Sequence, residues 1–233
     1  MSVRIIKPGN LKHITYRFTC PKCECIFEAD GYDVVSEQSR NANGDACNRR
    51  QLAKCPCCGS FVEGAEKDKI KFPKHGEQFE YNDVKFTALG EEQGGVLAIV
   101  SELLEDQIPF DKSSNNNWST SSLRKYLNGE YFEQFNHEDL LPFVSDLISD
   151  DGMRTYDAAE DYVFLLSCDL YRKYREYIPH FNNWWWTLTP CTCNPSSVST
   201  VRIVDSSGEL SITRANYGYG VASACLFNPK IFE

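Results

Sequence analysis

The sequence has no long apolar run and few of the residues that common catalytic motifs require. No stretch reaches the roughly 18–20 apolar residues of a membrane helix, and the first residues lack the apolar core of a secretory signal. His13, His75, His137 and His180 stand in no metal-binding or nucleophile–base motif, and no glycine-rich phosphate loop is present. We therefore expect no membrane partner, and nothing in the sequence calls for catalysis.

Cysteine is abundant instead, with 11 residues in a chain of 233. Two short Cys-x-x-Cys pairs can each present two thiolates from one tight turn, and Zn²⁺ takes four such ligands in a tetrahedron. We expect a structural zinc site without an open position for catalysis, and its ligands are Cys20, Cys23, Cys55 and Cys58. Cys57 or Cys47 remains an alternative ligand, and free thiols without metal are the less favoured reading.

The other seven cysteines are an odd number, which argues against a complete disulfide framework. They are Cys25, Cys47, Cys57, Cys168, Cys191, Cys193 and Cys225. We therefore expect synthesis and folding in a reducing compartment, the cytoplasm.

Charge and composition divide the chain into two parts. Residues 1–75 carry a net charge of +4 and residues 76–233 a net charge of −13. We predict a zinc ribbon over 1–66, with a polar inserted loop at 30–50 because 31 residues separate the cysteine pairs. A larger domain follows over 77–233, and its acidity makes nucleic acid an unexpected partner. The sequence leaves the oligomeric state open.

The larger domain shows alternating strand patterns and several short helical patterns. Ser119 or Thr120 can cap a helix that ends near Asn128, and Ser167 can cap another. Leu140 to Ile148 resembles an amphipathic piece interrupted by Pro142. Further strands are predicted at 96–100, 161–166, 184–190 and 220–227, and a hairpin at 198–204 and 209–213 with Gly208 in its turn.

Three consecutive tryptophans are the most distinctive feature of the larger domain. On a strand, Trp184 and Trp186 share one face and Trp185 takes the other. They either anchor a core, which is the more common role, or form a stacking surface for a sugar or peptide. In the second reading the ligand-binding residues are Trp184, Trp186, Asn194, Tyr217 and Tyr219. Cys191 and Cys193 are more simply inert thiols than a redox or metal pair.

Four motifs occur in this order: Trp118-Ser-Thr-Ser-Ser-Leu-Arg-Lys-Tyr-Leu-Asn128, Asp161-Tyr-Val-Phe-Leu-Leu-Ser167, Trp185-Trp-Thr-Leu-Thr-Pro190 and Gly220-Val-Ala-Ser-Ala-Cys225. Together they resemble an uncharacterised domain family of gut bacteria and their phages that has a C-type-lectin-like fold. The resemblance covers about residues 78–230 and implies a compact mixed domain with long loops on one face. Two arginines typical of the family are replaced here by Leu188 and Ala222. The Trp-Asn-Asp triplet with which calcium-dependent lectins hold sugar is missing from the sequence, so calcium is not expected.

The expected fold class is α+β: a small zinc ribbon followed by a C-type-lectin-like mixed domain. The expected function is that of a non-enzymatic phage or prophage binding protein, virion-associated, that recognises a protein or glycan through aromatic-polar loops. One alternative is an intracellular phage effector or anti-defence protein that binds a host protein complex. Another is a thiol-dependent enzyme of the formylglycine-generating type, because those enzymes have a related fold.

Overall fold

A computed structural model describes residues 15–30, 33–40, 46–66, 72–104 and 107–232. The chain divides into two compact units, Met1–Lys71 and Phe72–Glu233, and each has its own apolar core. Strands make up 40% of the structure. No helix within the described ranges is long and apolar enough to cross a membrane.

The first unit is built on one antiparallel sheet of five strands in the order β2-β1-β5-β4-β3. The strands are β1 (Thr15–Thr19), β2 (Ile26–Asp30), β3 (Val35–Arg40), β4 (Ala46–Lys54) and β5 (Phe61–Glu66). The segment 30–50, expected to be a loop, therefore contains β3 and the start of β4, which pair with each other. Residues 31–32 and 41–45 of that segment lie outside the described residues.

The core of the first unit is small and depends on one close backbone approach. Phe18 is buried and stacks on Phe27 with ring centroids 5.1 Å apart. Gly64 lies opposite Phe18 on the neighbouring strand. A Cβ at position 64 would be 2.4 Å from a ring carbon of Phe18, so only glycine lets this ring lie flat over the sheet.

Within its described residues, the second unit contains thirteen short strands in four antiparallel sheets. They are β6 (Gln78–Tyr81), β7 (Val84–Glu92), β8 (Gly95–Val100), β9 (Ile108–Pro109), β10 (Leu140–Leu141), β11 (Phe143–Ser145), β12 (Ala159–Asp161), β13 (Val163–Leu165), β14 (Trp185–Pro190), β15 (Thr200–Val204), β16 (Leu210–Arg214), β17 (Gly218–Tyr219) and β18 (Ser223–Phe227). The largest sheet has the order β10-β18-β8-β7-β6, with β13 also paired to β18. The others are β11-β12, β14-β15-β16 and β17-β9.

The two α-helices of the described chain are short, and each begins at a serine cap. Helix α1 spans Ser122–Leu127, and the Ser121 hydroxyl accepts from the N–H of Arg124. Helix α2 spans Cys168–Tyr174, and the Ser167 hydroxyl accepts from the N–H of Leu170. Both caps satisfy backbone donors that a first turn leaves free. Turns of 3₁₀-helix cover Trp118–Thr120, Phe132–Gln134 and Pro229–Phe232.

A buried ionic network attaches α1 to β12. The two carboxylate oxygens of Asp161 accept from Nε1 of Trp118 at 2.8 Å and from Nε of Arg124 at 2.7 Å. The Asp161 side chain is 1% exposed. Burial raises the pKa of Asp161, and the Trp118 hydrogen bond and the Arg124 charge offset only part of that rise.

The expected α+β class is wrong, because the described structure is predominantly β. The segment Leu140–Ile148, expected to be an amphipathic helical piece, contains β10 and β11 instead. Pro142 has no N–H for a helix and separates two short strands. The partners of those strands are β18 and β12. The helices that form within the described residues are single short segments.

Candidate metal centre and aromatic surface

Two turns of similar backbone geometry carry the N-terminal cysteines. In the first turn the N–H of Glu24 donates to Cys20 O at 2.8 Å, and in the second the N–H of Gly59 donates to Cys55 O at 2.9 Å. Gly59 has φ of 73°, a conformation that glycine adopts without strain. Glu24 takes φ of 58° at the equivalent place. Each turn thus points two thiols to the same side.

The four predicted ligands come together. The Sγ atoms of Cys20 and Cys58 are 3.5 Å apart, and those of Cys23 and Cys55 are 3.6 Å apart. All four lie within 4.8 Å of one another. Sulfurs at about 2.3 Å from one tetrahedral ion would be separated by about 3.8 Å, whereas a disulfide needs about 2.05 Å. The clustering predicted from the sequence is confirmed, and these cysteines could hold a metal.

The four thiols differ in acidity. Hydrogen bonds from the side chain and backbone of Ser60 lower the pKa of Cys58 to about 6. For Cys23, a backbone hydrogen bond from Cys25 acts downward, but desolvation and the neighbouring thiols raise the pKa to about 12. Crowded thiols cannot all ionise side by side without a compensating charge. A bound cation would supply that charge and keep all four as thiolates.

Two further cysteines face each other beside this cluster. The thiol of Cys57 donates to Sγ of Cys25 at 3.1 Å. Both lie within 4.8 Å of Cys55 Sγ, but neither belongs to the set of four. The Cys47 side chain, the other alternative ligand, lies outside the described residues.

The second unit presents a stacked pair of aromatic rings, Trp184 and Tyr219. The exposed Tyr217 lies two residues before Tyr219 in the chain, and these three residues are called here the aromatic surface. Trp184 is 37% exposed and Tyr217 is 50% exposed. The rings of Trp184 and Tyr219 are stacked, with centroids 5.8 Å apart and planes 17° from parallel. The Tyr219 hydroxyl accepts a hydrogen bond from Thr213 Oγ1 at 3.2 Å. The surface is therefore held in place rather than loosely attached.

Trp186 supports this surface from below. Its ring meets Tyr219 edge-on at 5.2 Å, and its Nε1 donates to Ile108 O at 2.7 Å. Trp186 is fully buried, so a ligand cannot reach it without rearrangement. Trp185 is also buried and packs against Tyr171. Only Trp184 of the three tryptophans is offered to solvent.

Asn194 lies away from the aromatic surface. Its loop follows Pro190, which pairs near Val201, whereas Trp185 pairs with Val204 at the other end of β14. Five residues of strand separate these ends by about 16 Å. The Asn194 side-chain oxygen accepts from the N–H of Ser196 at 3.1 Å, so it organises its own loop.

Residues 94–229 match a family described as a domain of unknown function, DUF6273. The chain belongs to this family. The DUF6273 match covers more than half of the chain and lies within the second unit. No curated protein and no solved structure matches the chain. The match does not identify a lectin-like family. It includes the aromatic surface and excludes the thiol cluster.

Several cavities are lined mainly by the DUF6273 region, and two of them differ in character. One, of about 210 Å³, has an aromatic wall that includes Trp185, and Arg175, His180 and Asp205 at its edge. The other, of about 490 Å³, is lined by Ser145, Asp150, Cys168 and Arg172 among others. Within the described residues the buried Ser145 hydroxyl has no hydrogen-bond partner.

Asp150 is a structural residue that sequence reasoning missed, because its pairing depends on residues far along the chain. Its two carboxylate oxygens accept from different arginines, Arg172 at 3.2 Å and Arg202. It thereby connects its loop to α2 and to β15. The sequence shows only an acidic pair, and no local pattern indicates two distant arginines.

Cys191 and Cys193 lie after β14. Cys193 is buried, and burial raises the pKa of the half-buried Cys191. A thiol with a raised pKa is mostly protonated near neutral pH and is a poor nucleophile. Their environment does not favour a thiol enzyme.

Proposed function

We propose that this protein is a non-enzymatic binding protein that recognises a protein or glycan through the aromatic surface of its DUF6273 region. The observation that carries the proposal is the exposed Trp184 ring, stacked on Tyr219, which in turn rests on the buried Trp186. A tryptophan on a surface normally packs part of its ring into the core. Here the Trp184 side chain is 37% exposed and stacks on the Tyr219 ring, so part of it remains open to a ligand.

Such an arrangement suits the stacking of a sugar ring or an apolar side chain. Aromatic side chains lose little conformational entropy on binding. Trp184 and Tyr219 are already ordered by stacking on each other, so binding costs them still less. Their faces are apolar, while the Tyr217 and Tyr219 hydroxyls can hydrogen-bond to a polar rim. Asn194 and Trp186 are left out of the proposed contact, because one is distant and the other is buried.

We propose that the metal of the first unit is zinc and that it is structural. Four cysteines are the ligand set that Zn²⁺ prefers in closed sites, and four thiolates leave no position for a reactive water. Among the described residues, the buried core of this unit consists of six: Tyr16, Phe18, Cys20, Ala53, Cys55 and Val62. A core of this size needs an additional crosslink.

A virion-associated role in a phage or prophage is part of the same proposal. Its support is the ordered set of motifs that resembles a domain family of gut bacteria and their phages. The proposal does not need a lectin-like α+β fold. It needs only an accessible and rigid aromatic group.

Glycan and peptide arrays probed with the zinc-loaded full chain test the proposal. The double variant Trp184→Ala/Tyr217→Ala should lose binding at least tenfold, which corresponds to about 1.4 kcal/mol. Tyr177→Ala is the matched control, because Tyr177 is 38% exposed but packs against His75 away from this surface. Arrays without any specific ligand, or full binding by the double variant, would contradict the proposal.

A second candidate is an intracellular effector that docks on a host protein complex through the first unit. The observation in its favour is the exposure of two apolar residues there, Phe61 and Val35. Large apolar side chains left open on a small domain are typical of docking surfaces. Affinity capture that Phe61→Ser abolishes and Trp184→Ala preserves would favour this function over the first.

A further inference from the structure

The two cysteine-bearing turns hold more thiols than one tetrahedral metal can use. Four belong to the metal set, and Cys25 and Cys57 remain, one from each turn. Their Sγ atoms are 3.1 Å apart, closer than the Cys20–Cys58 pair at 3.5 Å and the Cys23–Cys55 pair at 3.6 Å. This pair joins turns that are 32 residues apart in sequence.

The distance favours a dithiol over a second metal site. Two sulfurs at about 2.3 Å from a metal and 3.1 Å apart would subtend only about 85° at the ion, well below the tetrahedral value near 109°. The metal set itself lies close to the tetrahedral spacing. A disulfide, in contrast, requires the Cys25 and Cys57 sulfurs to close by about 1 Å, to about 2.05 Å.

Accessibility gives the two thiols different roles. Cys57 is exposed, whereas Cys25 is half-buried. A small disulfide in solution would therefore meet Cys57 first. Cys25 is then the neighbouring thiol in position to resolve the adduct.

We propose that Cys25 and Cys57 form a thiol–disulfide exchange site whose substrates are low-molecular-weight disulfides such as glutathione disulfide. The Cys57 sulfur attacks the small disulfide, forms a mixed disulfide and releases one small thiol. The Cys25 sulfur then attacks Cys57 Sγ, forms the Cys25–Cys57 bond and releases the second small thiol. Both protein thiols are oxidised, the small disulfide is reduced, and the two protons pass to the released thiols.

This reaction leaves the metal set intact. Cys55 is the metal-set cysteine near both reacting sulfurs. When Cys55 is bound to Zn²⁺ its sulfur is already coordinated, so it competes poorly as a nucleophile. The new bond crosslinks the same two turns as the metal does and so supports the first unit by an independent connection.

The test uses the zinc-loaded full chain incubated with glutathione disulfide, followed by intact mass, peptide mapping and a chromogenic zinc assay. We expect loss of two hydrogen masses, a Cys25–Cys57 crosslinked peptide, and no zinc release. Cys25→Ser should instead keep one glutathione on Cys57, and Cys57→Ser should react at least tenfold more slowly. Cys191→Ser, a half-buried thiol of the second unit, is the control and should behave as the parent.

Mapping on the unsubstituted chain needs no variant and keeps the proposal testable if a serine variant fails to fold. A crosslink that includes Cys55 or another metal-set cysteine, with zinc released, would overturn the proposal. So would reduced Cys25 and Cys57 after prolonged exposure, or a second bound zinc that both serine variants lose. Zinc content is measured before oxidation, so failure of the metal assignment is seen separately.

Discussion

Asp161→Asn should destabilise the second unit strongly, although the two side chains have nearly the same size and shape. The carboxylate of Asp161 receives one donor on each oxygen, Trp118 Nε1 and Arg124 Nε. An asparagine keeps one acceptor oxygen and presents an NH₂ group to the other donor. One of the two hydrogen bonds must therefore break.

The magnitude follows from which donor loses its partner. If the amide oxygen remains with Arg124, the N–H of Trp118 is left unpaired in a fully buried position, which costs about 1–3 kcal/mol. The remaining hydrogen bond, from Arg124, now has a neutral acceptor, which weakens it by about 1 kcal/mol. Removing a desolvated carboxylate returns part of this cost. We expect a loss of about 2–4 kcal/mol in the free energy of unfolding.

Tryptophan fluorescence during urea unfolding is the appropriate assay. All four tryptophans, Trp118 and Trp184 to Trp186, belong to the second unit, so the signal reports that unit alone. A double-mutant cycle with Trp118→Phe should give a coupling above about 1 kcal/mol, because each change removes the same contact.

Asp169→Asn provides the matched control, since the Asp169 side chain is 93% exposed and, among the residues that the structure describes, pairs with Arg172 of its own helix. It should leave the midpoint nearly unchanged. An Asp161→Asn variant within about 1 kcal/mol of the parent would refute the argument that two buried donors depend on this carboxylate.

Three further predictions concern other contacts. Gly64→Ala should destabilise the first unit by about 1–3 kcal/mol and speed metal loss to a chelator, because the alanine Cβ would overlap the Phe18 ring. Equal rates of metal release from the variant and the parent would contradict this prediction. Asp150→Asn should lower the stability of the second unit by about 1–2 kcal/mol, since it weakens bonds to two arginines; an unchanged melting temperature would argue against it. For Asp111, burial acts to raise the pKa, but hydrogen bonds from Ser113, Asn115 and Ser122 lower it overall. Its stabilisation is therefore present above the unfolded pKa of about 3.9 and lost as pH falls through the folded value, so Asp111→Asn should flatten the acid side of the stability curve.

Local chemistry determined what could be predicted from the sequence. The thiol cluster was predictable because each turn needs only its own few residues and the spacing of its cysteines. Helix α2 begins at the predicted cap, Ser167. The hairpin of β15 and β16 is also confirmed, with Gly208 at φ of 82°. In each case neighbouring residues determine the conformation.

Distant partners determined what could not be predicted. Leu140 and Leu141 form strand rather than helix because β18, more than 80 residues later, offers a free edge. The separation of Asn194 from Trp184 depends on the length and register of β14. The facing of Cys25 and Cys57 depends on how two turns meet, which no local pattern records.

The position of β18 has a consequence for the order in which the chain can fold during synthesis. The described strands of the first unit are complete once residue 66 has been made. In the second unit, β18 pairs with β8 and also with β10 and β13, and it ends only at Phe227. At translation rates of about 5–20 residues per second, β8 waits on the order of ten seconds for this partner. During that time the apolar run Gly95–Val100 keeps an open edge. Nascent chains halted before residue 223 should therefore hold a metal-competent first unit and an aggregation-prone remainder.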